Sequence, residues 1–240
     1  MTPGTLYLLP CPIGDGAPVD VLPAANFEVM RGLDYFIVEN VRSARRFLSR
    51  AGVASQNGGR SIDSLTFVEL NEHTRPEEIG AMLAPVVAGR SAGVISEAGV
   101  PAVADPGADI VAAAHRAGVR VVPLVGPSSV LMALMASGAN GQSFAFNGYL
   151  PVREPDRGRA IRRFEQRARA ERQSQIFIET PYRGGRLFAD LLSACAPETR
   201  LTVAADITAP GEFIRTLPVA EWRKTPAPPL DKRPAIFILN

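Results

Sequence analysis

Cysteine and histidine are almost absent from this chain: Cys11 and Cys195, His73 and His115 are its full complement. Two cysteines so far apart make neither a disulfide framework nor a zinc site, and small buried hydrophobes in a reducing compartment is what they are expected to be. Neither histidine has partners in the spacing of a metal site or a Ser-His-Asp triad, and His115, inside an alanine-rich helix, reads as structural or exposed. No apolar run is long enough to span a bilayer, and the N-terminus has no basic region ahead of a hydrophobic one, so neither membrane insertion nor secretion is expected. GxxxxGK[ST] is missing, and the first turn, CPIGDG, lacks GxGxxG spacing, which disfavours a triphosphate or a dinucleotide. These absences point to a cytoplasmic protein with no metal and no membrane partner.

What is present is ordinary globular composition, 46% hydrophobic and 21% charged over 240 residues, enough for one large domain or two α/β lobes. The net charge of +2 conceals segregation, because residues 153–172 are dense in arginine. Such a segment can track a phosphate backbone or form one solvated helix face.

Along the first half, short apolar runs alternate with helical patterns. Strands are predicted at 6–9, 34–39, 67–70, 92–96 and 119–124, and helices at 21–30 with Asp20 as cap, over ENVRSARRFLSRAG with Gly52 past its end, from Pro76 to about 88, at 108–117 and at 129–136. Residues 58–71 are expected to be a loop leading into the short strand. Alternation with short links is the signature of a parallel sheet covered on both faces. In the second half, strands are predicted at 144–150, over QIFIET, over LTVAADI and at 235–239, with the arginine-rich helix and a helix at 182–195 among them, and a proline-rich surface loop before the last strand. The expected division is into α/β lobes of residues 1–122 and 123–240, with the boundary near 122–128.

Loops at 10–16, 96–107, 126–129 and 179–183 each follow a predicted strand and are rich in Gly, Pro, Ser or Ala, residue types that let a ligand approach the main chain. Any one would be only a tight turn, but together they describe a nucleotide-like pocket at the carboxyl ends of strands.

The order LYLLPCPIGD, VENVRSARRFL, NEH, ISEAGVPAVADPG, VVPLVGPSSVLMAL, FNGYLP and IFIETPYR resembles the tetrapyrrole (corrin/porphyrin) methylase superfamily, and within it the branch of small-subunit rRNA ribose 2′-O-methyltransferases acting on cytidine. The resemblance covers nearly the whole chain, and SEAGVPAVADPG followed by GPSSV is its most specific part. It implies a two-lobed α/β homodimer holding S-adenosylmethionine in the cleft between lobes. Carried over, Pro12, Ser96, Glu97, Ala98, Gly99, Val103, Ala104, Asp105 and Pro106 would line the cofactor from the first lobe, and Ser128, Ser129, Thr180 and Pro181 would close over it. A sulfonium cation favours carbonyl dipoles and a carboxylate, which suits Asp105 or Glu97.

On the acceptor side the resemblance points to Glu39 and His73 as catalytic, with Glu39 as proton acceptor, and to Arg42, Asn71 and Glu72 as substrate-binding. The sequence departs from the branch where EDTR is usual and Glu39-Asn40-Val41-Arg42 stands, where a GE before the last strand is replaced by Arg233-Pro234, and in stopping at Asn240 where the branch usually carries an additional module. Three readings follow: a methyltransferase acting on a ribose 2′-hydroxyl of rRNA, with residues 153–172 on phosphates; one acting on a tetrapyrrole or other small molecule; and a non-catalytic cofactor- or RNA-binding relative. The first turn lacks the VGxGxGD form of the tetrapyrrole branch.

Overall fold

The computed structural model describes residues 2–53 and 60–240. It divides into two compact units, Met1–Ser128 and Ser129–Asn240. The strand Arg120–Pro123 pairs with the first strand and the Leu124 amide donates to Leu8 O at 3.0 Å, so both belong to the first unit.

The first unit is a five-stranded parallel sheet in the order β3-β2-β4-β1-β5, built from β1 (Thr5–Leu8), β2 (Tyr35–Val38), β3 (Thr66–Glu69), β4 (Ala92–Ile95) and β5 (Arg120–Pro123). Parallel strands need helical crossovers and are buried on both faces. Alternation along β2 shows how the residues divide. Phe36 and Val38 join Phe27, Met30, Phe47 and Leu48 under α2 (Ala24–Arg31) and α3 (Val41–Arg50), while Tyr35 and Ile37 join Leu83, Val86, Ile110 and Ala114 under α4 (Pro76–Val87) and α5 (Gly107–Arg116). Gly93 of β4 is required by packing, since a Cβ there would sit 2.4 Å from Leu9 Cδ1 and 3.1 Å from Phe36 Cδ1. Gly93→Ala is therefore expected to destabilise the unit by about 1–3 kcal/mol through overpacking, read as a lower denaturant midpoint at unchanged slope.

The second unit is a mixed sheet, β6-β7-β10-β8-β9, of β6 (Phe144–Phe146), β7 (Ser174–Glu179), β8 (Arg200–Ala205), β9 (Phe213–Pro218) and β10 (Ala235–Leu239), in which only β6 and β7 are parallel. Ile176, Ile236 and Ile238 face α6 (Ser129–Ser137), and Phe177, Phe237 and Leu201 face α7 (Asp156–Glu171) and α8 (Gly184–Ala194). Trp222, of the short α9 (Val219–Trp222), closes that second face, its indole N–H donating to Leu201 O at 2.8 Å.

Some expectations change. The helix expected at 21–30 is two pieces, α1 (Pro18–Val21) and α2, because Pro23 interrupts it and stands at the N-cap position of α2; Asp20 lies inside α1 rather than at its cap. The strand expected at 144–150 stops at Phe146, where Asn147 turns its side chain back onto Ala145 O and Gln175 Oε1. β9 and α9 had no clear sequence signal. The start of the loop expected over 58–71 lies outside the described residues. Among the described residues no helix is long and apolar enough to cross a membrane.

Candidate active site

A parallel sheet brings every strand's carboxyl end to one edge. From β1 the chain leaves toward β2, and from β4 it crosses to β5 on the other side, although β1 and β4 are neighbours. Loops that diverge from adjacent strands open a crevice where ligands bind. The loops at 10–16 and 96–107 are those loops, and their main chains are stitched at the base: Cys11 N donates to Gly99 O at 2.8 Å and Cys11 Sγ lies 3.6 Å from Ser96 O. Burial, then the charge of Glu97, pushes the Cys11 thiol up to about 12, so it is no thiolate nucleophile. The loop after β5 closes against both. Gly126 meets Pro10 so tightly that a Cβ would lie 2.2 Å from the proline ring, and Gly99, at φ 71°, has Pro127 O 3.4 Å from where its Cβ would be.

The loop at 96–107 holds Ala102 at φ 67° and Ala104 at φ 62°, left-handed conformations that cost a residue with a Cβ about 1–2 kcal/mol. Asp105 braces them. Its Oδ1 accepts from Ala102 N at 2.9 Å and Gly107 N at 2.7 Å, and Gly107 must be glycine because a Cβ would lie 2.7 Å from that oxygen. Burial raises the Asp105 pKa above the ordinary carboxylate value, against the lowering effect of the amides of Gly107, Ala102 and Val103. Strain held by a dedicated brace is characteristic of ligand-binding loops. With Asp105 Oδ1 directed into its own loop, Glu97 is the exposed carboxylate of this segment, next to exposed Ala98; Val103 and Ala104 are also exposed, Ser96 is buried and Pro12 is half-buried.

Glu39 follows β2 directly, beside this loop. Its amide donates to Ile95 O at 3.0 Å, and its Oε2 accepts from Glu97 N at 2.9 Å. Burial raises its pKa, the Glu97 amide opposes the shift, and the charges of Asp105, Glu97 and Glu72 add to it. Glu39 and Asp105 share the wall of a cavity of about 10 Å³ with Val38, Ile95, Leu70 and Pro106, room for about one water. Asn40 replaces the acidic residue usual in the resembled family and still caps α3, its Oδ1 accepting from Ser43 N at 3.1 Å, while Ser43 Oγ donates to Glu97 Oε2 at 3.1 Å.

The NEH turn follows β3 and is brought alongside by the Leu70 amide on Val38 O at 2.8 Å. Asn71 shapes it, accepting from His73 N at 2.9 Å and donating to Glu69 Oε1 at 2.7 Å. His73 is 83% exposed with Nε2 3.7 Å from Glu72, so packing does not orient it as it does Glu39. Arg42 is exposed on the first turn of α3.

In the second unit, Thr180 and Pro181 follow β7, and buried Glu179 holds the turn by accepting from Thr180 N at 2.7 Å and Arg183 Nε at 2.9 Å. At the same edge, after β8, Asp206 and Thr208 are left-handed at φ 50° and 71°, and Arg233 pairs with Asp206 at 3.2 Å and donates to Gly211 O at 3.0 Å. Sequence reading passed over this loop because LTVAADI reads as uninterrupted strand. Ser129 opens α6 and Ser128 is the last residue of the first unit.

Four of the eight arginines in residues 153–172 are paired with acids. Arg157 is 3% exposed, donating to Val152 O and paired with Asp190. Arg159 pairs with Asp156, Arg167 with Glu171 and Arg169 with Glu198. Among the described residues no group of three or more His, Cys, Asp or Glu side chains is arranged to hold a metal.

No family model matches the chain. It is 31% identical over 216 residues to the ribosomal RNA small subunit methyltransferase I of Vibrio cholerae, spanning 90% of this chain and 69% of that protein. With the protein of the same name from Pseudomonas aeruginosa the identity is 29%, over 92% of this chain and 72% of the relative. The fold matches that of the methyltransferase CobJ with a TM-score of 0.62 at 18% identity over 99% of this chain and 94% of CobJ, and that of a uroporphyrin-III-C-methyltransferase from Thermus thermophilus with 0.53 at 21%, over 99% and 92%. At 31% identity to the Vibrio cholerae relative, over 69% of that protein, the chain belongs to the family of the ribosomal RNA small subunit methyltransferase I.

Proposed function

We propose that this chain transfers a methyl group from S-adenosylmethionine to a ribose 2′-hydroxyl of small-subunit ribosomal RNA. The observation that carries the reading is Glu39, a half-buried carboxyl with a raised pKa, held by the Glu97 amide at the mouth of the braced loop. The relatives named for small-subunit RNA methylation, matched over nine-tenths of the chain, supply the acceptor class.

The loop at 96–107 suits S-adenosylmethionine. It offers an exposed carboxylate at Glu97, small residues and accessible main chain. When bound, the cofactor supplies an electrophilic methyl group on a sulfonium centre. Pro12, Ser96, Glu97, Ala98, Gly99, Val103, Ala104, Asp105, Pro106 and Ser128 are the first unit's residues assigned to hold it; Ser129, Thr180 and Pro181 are assigned by the resemblance alone.

Glu39 is the proton acceptor. Oε2 is fixed by the Glu97 amide, and Oε1, which has no hydrogen-bond partner among the described residues, takes the proton of the 2′-hydroxyl as that oxygen attacks. A raised pKa makes the ionised carboxylate a stronger base at neutral pH. Arg42, Asn71 and Glu72 orient the acceptor nucleotide, and His73 gains an orientation only against RNA. The reading places the protein with the ribosome in the cytoplasm, as a homodimer; Met135, 82% exposed on the apolar helix α6, supports a second copy as its cover.

The chemistry is checked by digesting methylated RNA to nucleosides and separating them by mass spectrometry. The expected product is a 2′-O-methylated nucleoside, and methylation on the base overturns the ribose assignment.

A further inference from the structure

We infer that the solvent face of α3 is the track on which this chain holds RNA phosphates, an inference that rests on the rRNA reading above. The helix buries Ala44, Phe47 and Leu48 and turns Arg42, Arg45, Arg46 and Arg50 to the opposite face, with no acidic residue of its own. Two of these arginines are already engaged. Arg45 pairs with Asp63 and lies over the Phe67 ring, 5.7 Å from its centroid, and Arg50 Nη2 donates to Asp15 O at 2.7 Å and Gly16 O at 2.8 Å.

Arg42 and Arg46 are exposed, one helical turn apart, and neither makes an ion pair with any described residue. α7 differs in carrying acids of its own and in having three of its five exposed arginines, Arg159, Arg167 and Arg169, paired with Asp156, Glu171 and Glu198. The position of Arg42 is itself informative. In the first turn of a helix a cation opposes the helix dipole, so it does not stabilise α3 there and calls for another reason.

Electrostatics supplies the reason. Glu39, Glu72, Glu97 and Asp105 gather enough negative charge that each of the other three raises the Glu39 pKa. Such a cluster repels a polyanion unless a basic strip lies next to it. The first turn of α3 follows Glu39 after the single cap residue Asn40, so Arg42 and then Arg46 lead outward from the acceptor carboxylate. The phosphates flanking the acceptor ribose would lie along this line.

The test is binding of small-subunit rRNA as a function of salt, for the parent, Arg42→Ala with Arg46→Ala, Arg42→Lys with Arg46→Lys, and Arg162→Ala with Arg163→Ala on α7. The alanine pair on α3 is expected to lose about tenfold in affinity at moderate salt and to flatten the log–log salt slope by about 0.7–0.9 per arginine removed. Cofactor affinity by calorimetry and the melting temperature stay at parent values, the lysine pair keeps the parent slope, and the α7 pair binds as the parent does. Parent-like affinity and slope for the alanine pair, or the loss appearing in the α7 pair, overturns the α3 track while leaving the rRNA reading intact. If the parent binds no RNA even at low salt, the rRNA reading fails first and the track with it.

Discussion

Glu39→Gln is expected to lower the turnover of methyl transfer by about 10²- to 10⁴-fold while leaving cofactor affinity and fold intact. The amide keeps the side chain's size and can still accept from the Glu97 N–H, which the carboxylate does at 2.9 Å, so the backbone arrangement survives. What is lost is the site that takes the proton. In the parent the rate rises with pH as Glu39 ionises, and because burial first and then Asp105, Glu97 and Glu72 raise its pKa, the midpoint of that limb lies above the ordinary carboxylate value of 4.5. The limb is absent from the residual activity of the glutamine variant.

Stability moves the other way. A carboxyl whose pKa is higher in the fold than in the unfolded chain binds its proton more tightly when folded, so the parent loses stability as pH rises from below 4.5 through the folded pKa. Glutamine removes that loss, and thermal melts are expected to show the variant gaining on the parent between acid and neutral pH. A variant with full turnover, or one that melts earlier than the parent at neutral pH, contradicts the placement of Glu39.

Asp105→Ala is expected to weaken S-adenosylmethionine binding by about 10- to 100-fold, the scale of losing hydrogen bonds to a charged group. One oxygen of Asp105 accepts from both Ala102 and Gly107, and between those amides the chain passes through a left-handed alanine at Ala104. Without the brace the loop relaxes toward ordinary backbone angles and no longer presents Glu97, Ala98 and Val103 together. Asp105→Asn keeps an acceptor oxygen and is expected to fall between parent and alanine variant. Equal calorimetric affinity in all three would show that the loop needs no brace.

Much of this was legible in the residues. The alternation of apolar runs and capped helices gives the parallel first sheet, and the small-residue loops after its strands mark the edge at which the candidate site lies. Glu39, named from VENVR, and Glu97 and Asp105, named from SEAGVPAVADPG, lie near one another because β2 and β4 are adjacent strands. Sequence could not show the division of labour among the carboxylates. That Asp105 turns inward depends on two left-handed alanines, and alanine carries no sign of φ. Nor could it show that Arg157 is buried against Asp190 while Arg42 and Arg46 make no ion pair among the described residues, since pairing across elements depends on side-chain positions far apart in the chain. β9 and α9 were missed because FIRTLPVAEW carries neither strict alternation nor a strong cap.

The most direct test is to supply methyl-labelled S-adenosylmethionine to the protein in the presence of small ribosomal subunits lacking the modification and, in parallel, a small-molecule extract. Label in the RNA of the small subunit, absent from Glu39→Gln, is the predicted result. Label confined to the extract, or cofactor bound with no label in either, contradicts the account.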